Sequence, residues 1–313
     1  MITKILVTGG AGFIGSCLAE KLAENKNNSV VVVDNLHTGT HSKLPKSPYN
    51  NFSFIKADVN LFEDIASIFF AHRFDFVFHY AALVGVKRTL ANPAMVLRDL
   101  EGIKNILNLS KNTGVKRVFF SSSSEVYGEP VEFPQNEHTT PLNSRLPYAI
   151  VKNVGEAYLR AYKQEYDLDF TIYRFFNTYG IKQSNDFVMS RFIHAALHNK
   201  DVTIYGDGLQ TRTFCYIDDN IDATVNAFYQ NKYVNDVVNI GSDDEVTILE
   251  LAKKVIKLCG SKSKLIHLPA LKEGDMTRRC PDIHKMQKLL NRKMTSLDEG
   301  IKKLIKVFSH SAH

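Results

Sequence analysis

The chain has 313 residues, of which 44% are hydrophobic and 23% charged, a composition that excludes disordered, collagen-like and coiled-coil proteins. Its length allows two domains or one large α/β domain. The 39 basic and 33 acidic residues leave a net charge of +6, which is too small and too dispersed to indicate a nucleic-acid partner.

The first half of the chain alternates short β-branched runs with longer segments of helical period. This pattern is typical of βαβ units around a parallel sheet. Ile14, Leu18 and Leu22 recur at four-residue spacing and predict one buried face of the first helix. The predicted strands are 4–8, 29–33, 52–57, 75–79, 117–122 and 169–174, and later helices lie near 61–72, 92–113 and 148–166.

After about residue 178 the regular alternation of predicted strands and helices ends. The last predicted helix has a clear start, because Ser296 followed by Glu299 forms a capping box. The pattern predicts a large doubly wound domain and a smaller C-terminal lobe, with the chain crossing back at least once. The elements predicted before that last helix are a helix near 186–199, a strand at 202–205, a strand-to-helix segment at 213–228, a strand at 237–240 and a helix at 248–258.

Cysteine spacing and hydropathy bear on partners and location. The cysteines are widely spaced without a C-x-x-C pair, so neither a metal site nor a disulfide framework is expected. No apolar run approaches the roughly 18 residues of a membrane span, and Met1 leads directly into a strand-like run rather than a signal peptide. We therefore expect a cytoplasmic protein without metal or membrane partner.

A glycine-rich segment follows the first predicted strand and opens the first predicted helix. Its Gly9, Gly12 and Gly15 favour a dinucleotide fingerprint, in which a tight turn lets a pyrophosphate approach the helix N-terminus. Asp34 ends the second predicted strand, where a carboxylate hydrogen-bonds the ribose diol and repels a 2′-phosphate. No arginine lies within residues 34–39 to reverse this preference, so the sequence predicts NAD rather than NADP.

Polar or small residues follow the carboxyl ends of the predicted strands, where open parallel sheets bind their ligands. Asp58 and Val59 are expected to flank the adenine. Ala81 and Ala82 either leave room beside the dinucleotide or serve helix packing, and both interpretations stay open. The residues at these strand ends are Gly9, Asp34, Asp58, Ala81, Ala82, Ser123 and Asn177.

Tyr148 and Lys152 stand one helical turn apart and therefore share a face. A tyrosine has a pKa of about 10, and lowering it by about 3 units requires roughly 4 kcal/mol of preferential stabilisation of the phenolate. A neighbouring ammonium and a nicotinamide ring can supply this. The spacing alone is also typical of a solvated helix pair, but its position after a dinucleotide fingerprint and a serine-rich strand end favours catalysis.

Together these motifs carry a family resemblance that covers nearly the whole chain. The chain resembles an extended short-chain dehydrogenase/reductase of the NAD-dependent sugar-nucleotide epimerase, dehydratase and decarboxylase family. The resemblance implies a nucleotide-diphosphate-sugar substrate and a homodimer formed through the helices near 92–113 and 148–166. The matching segments are Thr8–Gly15, His79–Ala82, Ser121–Gly128, Tyr148 with Lys152, Arg174–Asn177, Gly206–Gly208, Asn239–Gly241 and Arg279 ahead of Pro281–Ile283.

The resemblance also implies a role for individual residues. Tyr148 would remove the proton of the sugar O4 while C4 passes hydride to NAD, Ser123 would hydrogen-bond the same oxygen, and Lys152 would hold the nicotinamide ribose. Asn177, Arg212 and Arg279 would contact the substrate diphosphate, although an exposed ion pair is the alternative for the two arginines. Further predicted residues are Lys87 for substrate and Phe13, Ile14, Asn35, Thr38 and Gly39 for the cofactor.

These roles divide the chain into two predicted parts. Residues 1–178, with a return segment at about 213–241, form the NAD-binding Rossmann domain. Residues 179–212 and 242–313 form an α/β lobe for the nucleotide sugar. One departure concerns Asp99, because the family often has asparagine there and the contacts of that position cannot be transferred.

The reaction depends on the residues beside Ser123. The 4,6-dehydratases typically have an aspartic acid where Ser124 stands, and the 4-epimerases usually have a neutral residue where Glu125 stands. Decarboxylases of nucleotide uronates are more similar, with a hydroxyl and Glu before Val-Tyr-Gly and an arginine at the position of Arg145. Some dehydratases of N-acetylated sugars nevertheless share the Ser-Glu pair.

The favoured hypothesis is a UDP-glucuronate decarboxylase-like enzyme that works through a 4-keto sugar, because a uronate oxidised at C4 is a β-keto acid. A 4-epimerase and then a 4,6-dehydratase are the alternatives. Glu125 is either catalytic or a structural carboxylate in the turn after its strand. A non-catalytic NAD-binding regulator is a further class, which the intact Ser123, Tyr148 and Lys152 argue against.

Overall fold

A computed structural model describes residues 2–46, 49–270 and 277–310, without the side chains of Val86 and Lys87. Its strands are β1 Thr3–Thr8, β2 Asn28–Asp34, β3 Phe52–Lys56, β4 Phe76–His79, β5 Arg117–Ser123, β6 Asp169–Phe175, β7 Thr178–Tyr179, β8 Val202–Tyr205, β9 Thr211–Thr213, β10 Cys215–Tyr216, β11 Asp236–Ile240, β12 Glu245–Thr247 and β13 Leu265–Leu268. Its helices are α1 Phe13–Ala23, α2 Phe62–His72, α3 Val86–Ala91, α4 Pro93–Leu97, α5 Asp99–Thr113, α6 Pro147–Tyr166, α7 Val188–Leu197, α8 Ile217–Tyr229, α9 Ile248–Leu258, α10 His284–Gln287 and α11 Leu297–His310.

Within the described ranges, seven strands form one parallel sheet in the order β11-β6-β5-β4-β1-β2-β3. The chain runs outward from β1 through β2 to β3 and then starts again at β4 on the other side of β1. This reversal between β1 and β4 is the point where doubly wound sheets open a ligand crevice. The predicted doubly wound α/β fold is confirmed.

Both faces of this sheet are buried, which explains the nearly continuous apolar runs in its strands. Successive side chains of a strand point to opposite faces, so Ile5 and Val7 of β1 join one core while Leu6 joins the other. The first core also takes in α1 and α8, and the second α2, α5 and α6. Helices therefore cover both sides of the sheet and leave its carboxyl edge for ligands.

The single helix predicted near 92–113 is wrong, because the structure divides this segment. Asn92 leaves helical geometry (φ −133°, ψ 57°), since the α region is disfavoured for a residue before proline, and Pro93 then starts α4. A second break falls at Arg98, whose N–H donates to Met95 in a tighter turn before α5 begins at Asp99. This break places Asp99 in the first turn of a new helix.

The chain returns to the sheet after an excursion. Strand β11 pairs with β6, so that Val238 lies opposite Tyr173. The elements of the excursion make small pairs of their own: β10 with β7, β12 with β9, and β13 with β8. The crossing back that the sequence predicted is confirmed, whereas the boundaries drawn between domain and lobe stay a prediction.

Helix α11 begins as the sequence predicted. The Ser296 hydroxyl accepts the Glu299 N–H at 3.4 Å, and the Glu299 carboxylate accepts the Ser296 N–H at 3.0 Å. This reciprocal pair is the predicted capping box. In the described ranges, none of the helices combines the length and the apolar character needed to cross a bilayer.

A buried ion pair fixes α6 onto β6. Arg174 and Glu156 are each 1% exposed, and the guanidinium holds the carboxylate through bonds of 2.9 and 2.7 Å. Arg174 also donates to the Tyr127 hydroxyl at 2.8 Å. The arginine of this predicted family motif therefore has a structural role.

We expect Arg174→Met to lower the free energy of unfolding by about 3–5 kcal/mol, because it leaves a carboxylate buried without its cation. Arg160 is the matched control, since it reaches the same Glu156 at 3.5 Å but is half exposed, and Arg160→Met should cost less than about 1 kcal/mol. Urea unfolding followed by circular dichroism measures both. Equal losses in the two variants would contradict this account.

Candidate functional site

The glycine-rich turn after β1 leaves space at the start of α1. Gly9 has φ +69°, and a Cβ there would lie 2.6 Å from the Ala81 nitrogen. A Cβ on Gly15 would lie 2.4 Å from the Gly9 oxygen. At the α1 N-terminus, Gly12 makes no side-chain cap. The first-turn N–H groups of α1 therefore meet the requirements of a pyrophosphate site.

The Asp34 carboxylate lies at the end of β2 and is held by backbone donors. One of its oxygens accepts the Ala11 N–H at 3.0 Å and the other the Leu36 N–H at 2.8 Å. A Cβ on Gly39 would lie 2.8 Å from this carboxylate, so Gly39 packs behind it. The fixed carboxylate retains free lone pairs for a ribose diol.

The next strand end carries Asp58. Its carboxylate accepts the Asn35 amide at 3.1 Å and the Asn60 N–H at 2.9 Å. These bonds join the loops after β2 and β3 on the side where the sequence predicts the adenosine.

One cavity of about 910 Å³ brings the strand ends together. It reaches from the glycine turn, past the reversal between β1 and β4, to the lobe residues around Tyr205. Gly39 is not among its lining residues, and the predicted substrate residue Lys87 lies outside the described side chains. The predicted residues that line it are Gly9, Gly12, Phe13, Ile14, Gly15, Asp34, Asn35, Thr38, Asp58, Val59, Ala81, Ala82, Ser123, Glu125, Tyr148, Lys152, Asn177, Arg212 and Arg279.

Ser123, Tyr148 and Lys152 meet in the middle of this cavity. Ser123 ends β5, where its hydroxyl accepts the Glu125 N–H at 3.2 Å and is near enough to Tyr148 to lower the pKa of that phenol. Lys152 is 3% exposed, with its Nζ 5.8 Å from the Tyr148 ring and 3.4 Å from the Ser121 hydroxyl. The solvated helix pair that the spacing also allowed is therefore not what the fold forms.

The surroundings of Tyr148 disfavour its phenolate. Burial raises the pKa of Tyr148 above its usual value, and the Glu125 and Asp99 carboxylates raise it further. The hydrogen bond with Ser123 and the guanidinium of Arg279 act in the opposite direction and lower this pKa. A base at this position thus requires additional positive charge nearby, which a bound oxidised nicotinamide carries.

Burial also lowers the pKa of Lys152 to about 8, while the Asp99 carboxylate opposes that shift. Near neutral pH the Lys152 side chain is therefore mainly a buried ammonium. Such a group can donate to ribose hydroxyls and favour the Tyr148 phenolate electrostatically.

Glu125 pairs with Arg279 beside these groups. Their ion pair is 2.8 Å long, and the same guanidinium nitrogen lies 3.4 Å from the Ser124 hydroxyl. Arg279 is 5% exposed, and its Nε is buried without a partner among the described residues. Arg145, which the family pattern associated with Glu125, is exposed instead. The pair joins two segments that are 154 residues apart.

Asn177 and Arg212 line the lobe side of the cavity. Asn177 has φ +34°, and its amide donates to the Thr213 carbonyl at 3.0 Å. Arg212 is 8% exposed and donates to the Thr211 carbonyl at 2.7 Å. Since Arg212 and Arg279 are both buried, the exposed ion pair considered as their alternative role is wrong.

Two arginines that line the cavity belong to none of the predicted motifs. The Arg191 guanidinium on α7 lies 5.5 Å from the Tyr205 ring, with its Nε buried and unpartnered in the part of the chain described here. Arg88 of α3 forms a 3.4 Å ion pair with Asp186, which also lines the cavity. Neither arginine stands in a motif, so only the tertiary fold identifies them.

A glycine turn, a carboxylate held by backbone N–H groups after β2 and a tyrosine–lysine pair at the carboxyl edge of a doubly wound sheet are typical of a dinucleotide-dependent enzyme. Residues 5–241 match the model of the NAD dependent epimerase/dehydratase family. The chain belongs to this family, and its cofactor is NAD. The glycine turn leaves room for that cofactor, and the predicted ribose contact of Asp34 stays a prediction.

Two curated relatives cover 98% of this chain at 35% identity. One is a UDP-N-acetyl-α-D-glucosaminuronate decarboxylase of Bacillus cytotoxicus, aligned over 98% of its length. The other is UDP-glucuronic acid decarboxylase 1 of Danio rerio, aligned over 72% of its length. A solved UDP-glucose 4-epimerase of Thermotoga maritima with UDP-glucose is 34% identical, with a TM-score of 0.93 over 99% of this chain and all of the other. The chain is therefore an NAD-dependent enzyme that modifies a nucleotide sugar.

We expect NADP to bind at least about tenfold more weakly than NAD, a difference of roughly 1.4 kcal/mol, because its 2′-phosphate meets the fixed Asp34 carboxylate. Asp34→Asn removes the negative charge and should therefore reduce the difference between the NAD and NADP affinities. Calorimetric titration of cofactor-free protein with both dinucleotides measures it. Equal affinities in the unchanged protein would show that Asp34 does not select the cofactor.

Proposed function

We propose that the protein oxidises C4 of a uridine-diphosphate-linked uronic acid, which then loses its C6 carboxylate as carbon dioxide. The observation that carries this proposal is the buried Arg279–Glu125 pair beside Tyr148. The names of the two curated relatives, both decarboxylases of UDP-linked uronates, support the same chemistry.

Oxidation at C4 requires a base for the O4 proton. Tyr148 takes that role, with Ser123 as hydrogen-bond partner of the same oxygen and Lys152 as the neighbouring positive charge. The chemistry that bound NAD supplies here is reversible acceptance of hydride from C4. The residues proposed to hold NAD are those of the glycine turn together with Asp34, Asn35, Thr38, Asp58, Val59, Ala81, Ala82 and Lys152.

Arg279 is suited to the C6 carboxylate of a uronate. Glu125 occupies one end of its guanidinium, while the buried Nε has no partner among the described residues. A planar guanidinium binds a carboxylate with fixed orientation. The diphosphate contact first expected for Arg279 remains a prediction.

The oxidised uronate is a β-keto acid, and its C5–C6 bond breaks with the electron pair delocalised into the C4 carbonyl. This step needs no acid for a leaving hydroxyl, which suits the neutral Ser124. A proton must then return to C5, and Glu125 is the carboxylate beside the sugar that can manage it. Asn177 and Arg212, with Lys87, are the proposed diphosphate contacts.

A 4-epimerase is the second candidate. Because Glu125 already neutralises Arg279, an uncharged C6 hydroxymethyl group can also occupy this part of the cavity. The likeness to the Thermotoga maritima epimerase supports this alternative. A dehydratase is less favoured, since Ser124 stands where its acid is needed.

The experiment that tests the proposal offers the purified NAD-loaded protein UDP-glucuronate, UDP-N-acetylglucosaminuronate and UDP-glucose separately. We expect carbon dioxide and a UDP-pentose from a uronate, measured by mass spectrometry and proton NMR. Conversion of UDP-glucose to its C4 epimer, with uronates untouched, would establish the second candidate. No conversion of any sugar would favour a non-catalytic NAD-binding regulator.

The protein is also proposed to act as a homodimer through α4, α5 and α6. Large apolar side chains on these helices remain exposed in the single chain, among them Leu97 at 45% and Ile150 at 39%. Exposed apolar patches on soluble proteins often mark association surfaces. Sedimentation equilibrium should give the mass of two chains, and a monomer at all concentrations would refute the proposal.

A further inference from the structure

Asp99 is a charged residue in the cavity that the proposed reaction does not use. It is the first residue of α5, and it lines the cavity together with Tyr148 and Lys152. Its Oδ2 accepts the Leu83 N–H at 2.7 Å. This bond fixes the carboxylate at the edge of the cavity, beside the end of β4.

Lys152 has few polar neighbours. Its Nζ lies 3.4 Å from the Ser121 hydroxyl, a long hydrogen bond, and 4.9 Å from the Phe120 ring. Burial of an ammonium without a counter-charge favours the neutral amine. Asp99 is the acidic side chain whose charge acts on Lys152 and keeps the lysine pKa from falling further.

We infer that Asp99 is a positioning residue that keeps the buried Lys152 ammonium charged beside Tyr148. The inference rests on the proposed roles of Tyr148 and Lys152 and adds the group that maintains them. With a neutral amide at position 99, more of Lys152 would lose its proton near neutral pH. Above the lowered Lys152 pKa, the positive charge that supports the Tyr148 phenolate and a ribose would be lost, whereas below it Lys152 would still be an ammonium.

The other titratable groups around this pair do not replace Asp99. From the strand β4, His79 faces Lys152, and burial together with the lysine charge lowers the pKa of His79 to about 3, so it is neutral. From the segment after β3, Asp58 faces Asp99, and its negative charge raises the Asp99 pKa together with burial. On α6, Tyr148 also interacts with Asp99, whose negative charge raises the Tyr148 pKa and so disfavours the phenolate.

Asp99→Asn tests the inference, because asparagine keeps an acceptor for the Leu83 N–H and removes only the charge. Carbon-13-labelled lysine in the NAD-loaded protein reports the titration of Lys152 by NMR, and the signal is assigned by its loss in Lys152→Arg. We expect Lys152 to titrate about one pH unit lower in Asp99→Asn. Asp99→Glu should restore the original titration, and Asp99→Ser serves if the asparagine variant does not fold.

The pH profile of turnover supplies the second readout. Removing the Asp99 charge eases phenolate formation at Tyr148 and deprotonation of Lys152, so both limbs of the profile should move to lower pH. Glu101→Gln is the matched control, since Glu101 is on the same helix but pairs with Lys104 on the surface. It should move neither readout.

An unchanged Lys152 titration in Asp99→Asn would overturn the inference, even if turnover fell through a purely structural effect. If the Lys152 titration shifts but both limbs of the pH profile of turnover stay in place, the electrostatic pairing of Asp99 and Lys152 is upheld. That result would count against the proposed catalytic role of Lys152. The lysine signal does not depend on turnover, so failure of the inference and failure of the proposed function give different results.

Discussion

Tyr148→Phe should abolish most of the activity and leave the fold and NAD affinity intact. The variant removes only the hydroxyl that contacts Ser123, while the ring keeps its packing against the core under α6. Loss of a general base typically lowers the rate by a factor of about 10² to 10⁴. Turnover of the nucleotide sugar and the amount of NAD released on denaturation measure the two effects.

Tyr158→Phe is the matched control, because Tyr158 lies on the same helix and packs against the same core but does not line the cavity. It should retain nearly all activity. Near-normal turnover in Tyr148→Phe would show that Tyr148 is not the base and that another group in the cavity accepts the proton.

Glu125→Gln should separate oxidation of the sugar from the step that follows it. Glutamine keeps a hydrogen-bond acceptor for Arg279 but has no carboxylate to manage a proton at C5. Since the first step depends on Tyr148, reduced nicotinamide absorbance should appear on adding the correct substrate and then persist. Because the carboxylate acts after the C5–C6 bond has broken, the first turnover can still release carbon dioxide, but neither further carbon dioxide nor a finished or dehydrated sugar nucleotide should be released at the normal rate.

Glu129→Gln controls for the loss of an acidic charge, because Glu129 is an exposed acceptor for the Thr277 hydroxyl outside the cavity. Full turnover by Glu125→Gln would make Glu125 a structural partner of Arg279. That result would favour the 4-epimerase, in which rotation of the keto sugar and return of hydride need no further acid or base.

The strands of the sheet were predictable because their side chains are buried on both faces. Runs such as Val30–Val33 place apolar side chains on both faces of a strand, and turn residues mark the ends of these runs. Knowing that parallel strands end at one edge was sufficient to predict that Gly9, Asp34 and Ser123 line one cavity. This part of the site follows from local sequence and a general rule of topology.

The partners of charged side chains were not predictable in the same way. Arg279 reaches Glu125 across 154 positions of the chain, and no period or spacing connects them. The helix break at Arg98 was also not predictable, because the apolar pattern of the sequence continues through this position. Yet this break gives Asp99 its place at the start of α5, where it binds Leu83. Such contacts depend on how complete elements pack.

The return of the chain to β11 has a consequence for folding during synthesis. Strand β6 ends at Phe175, but its outer neighbour begins only at Asp236, 61 residues later. Until the ribosome has released that segment, one edge of β6 has no strand partner, and unpaired edges invite association between chains. Pairing over such a separation is also slow. A chain truncated before Asp236 would keep the whole glycine turn and still present this open edge, so it should aggregate.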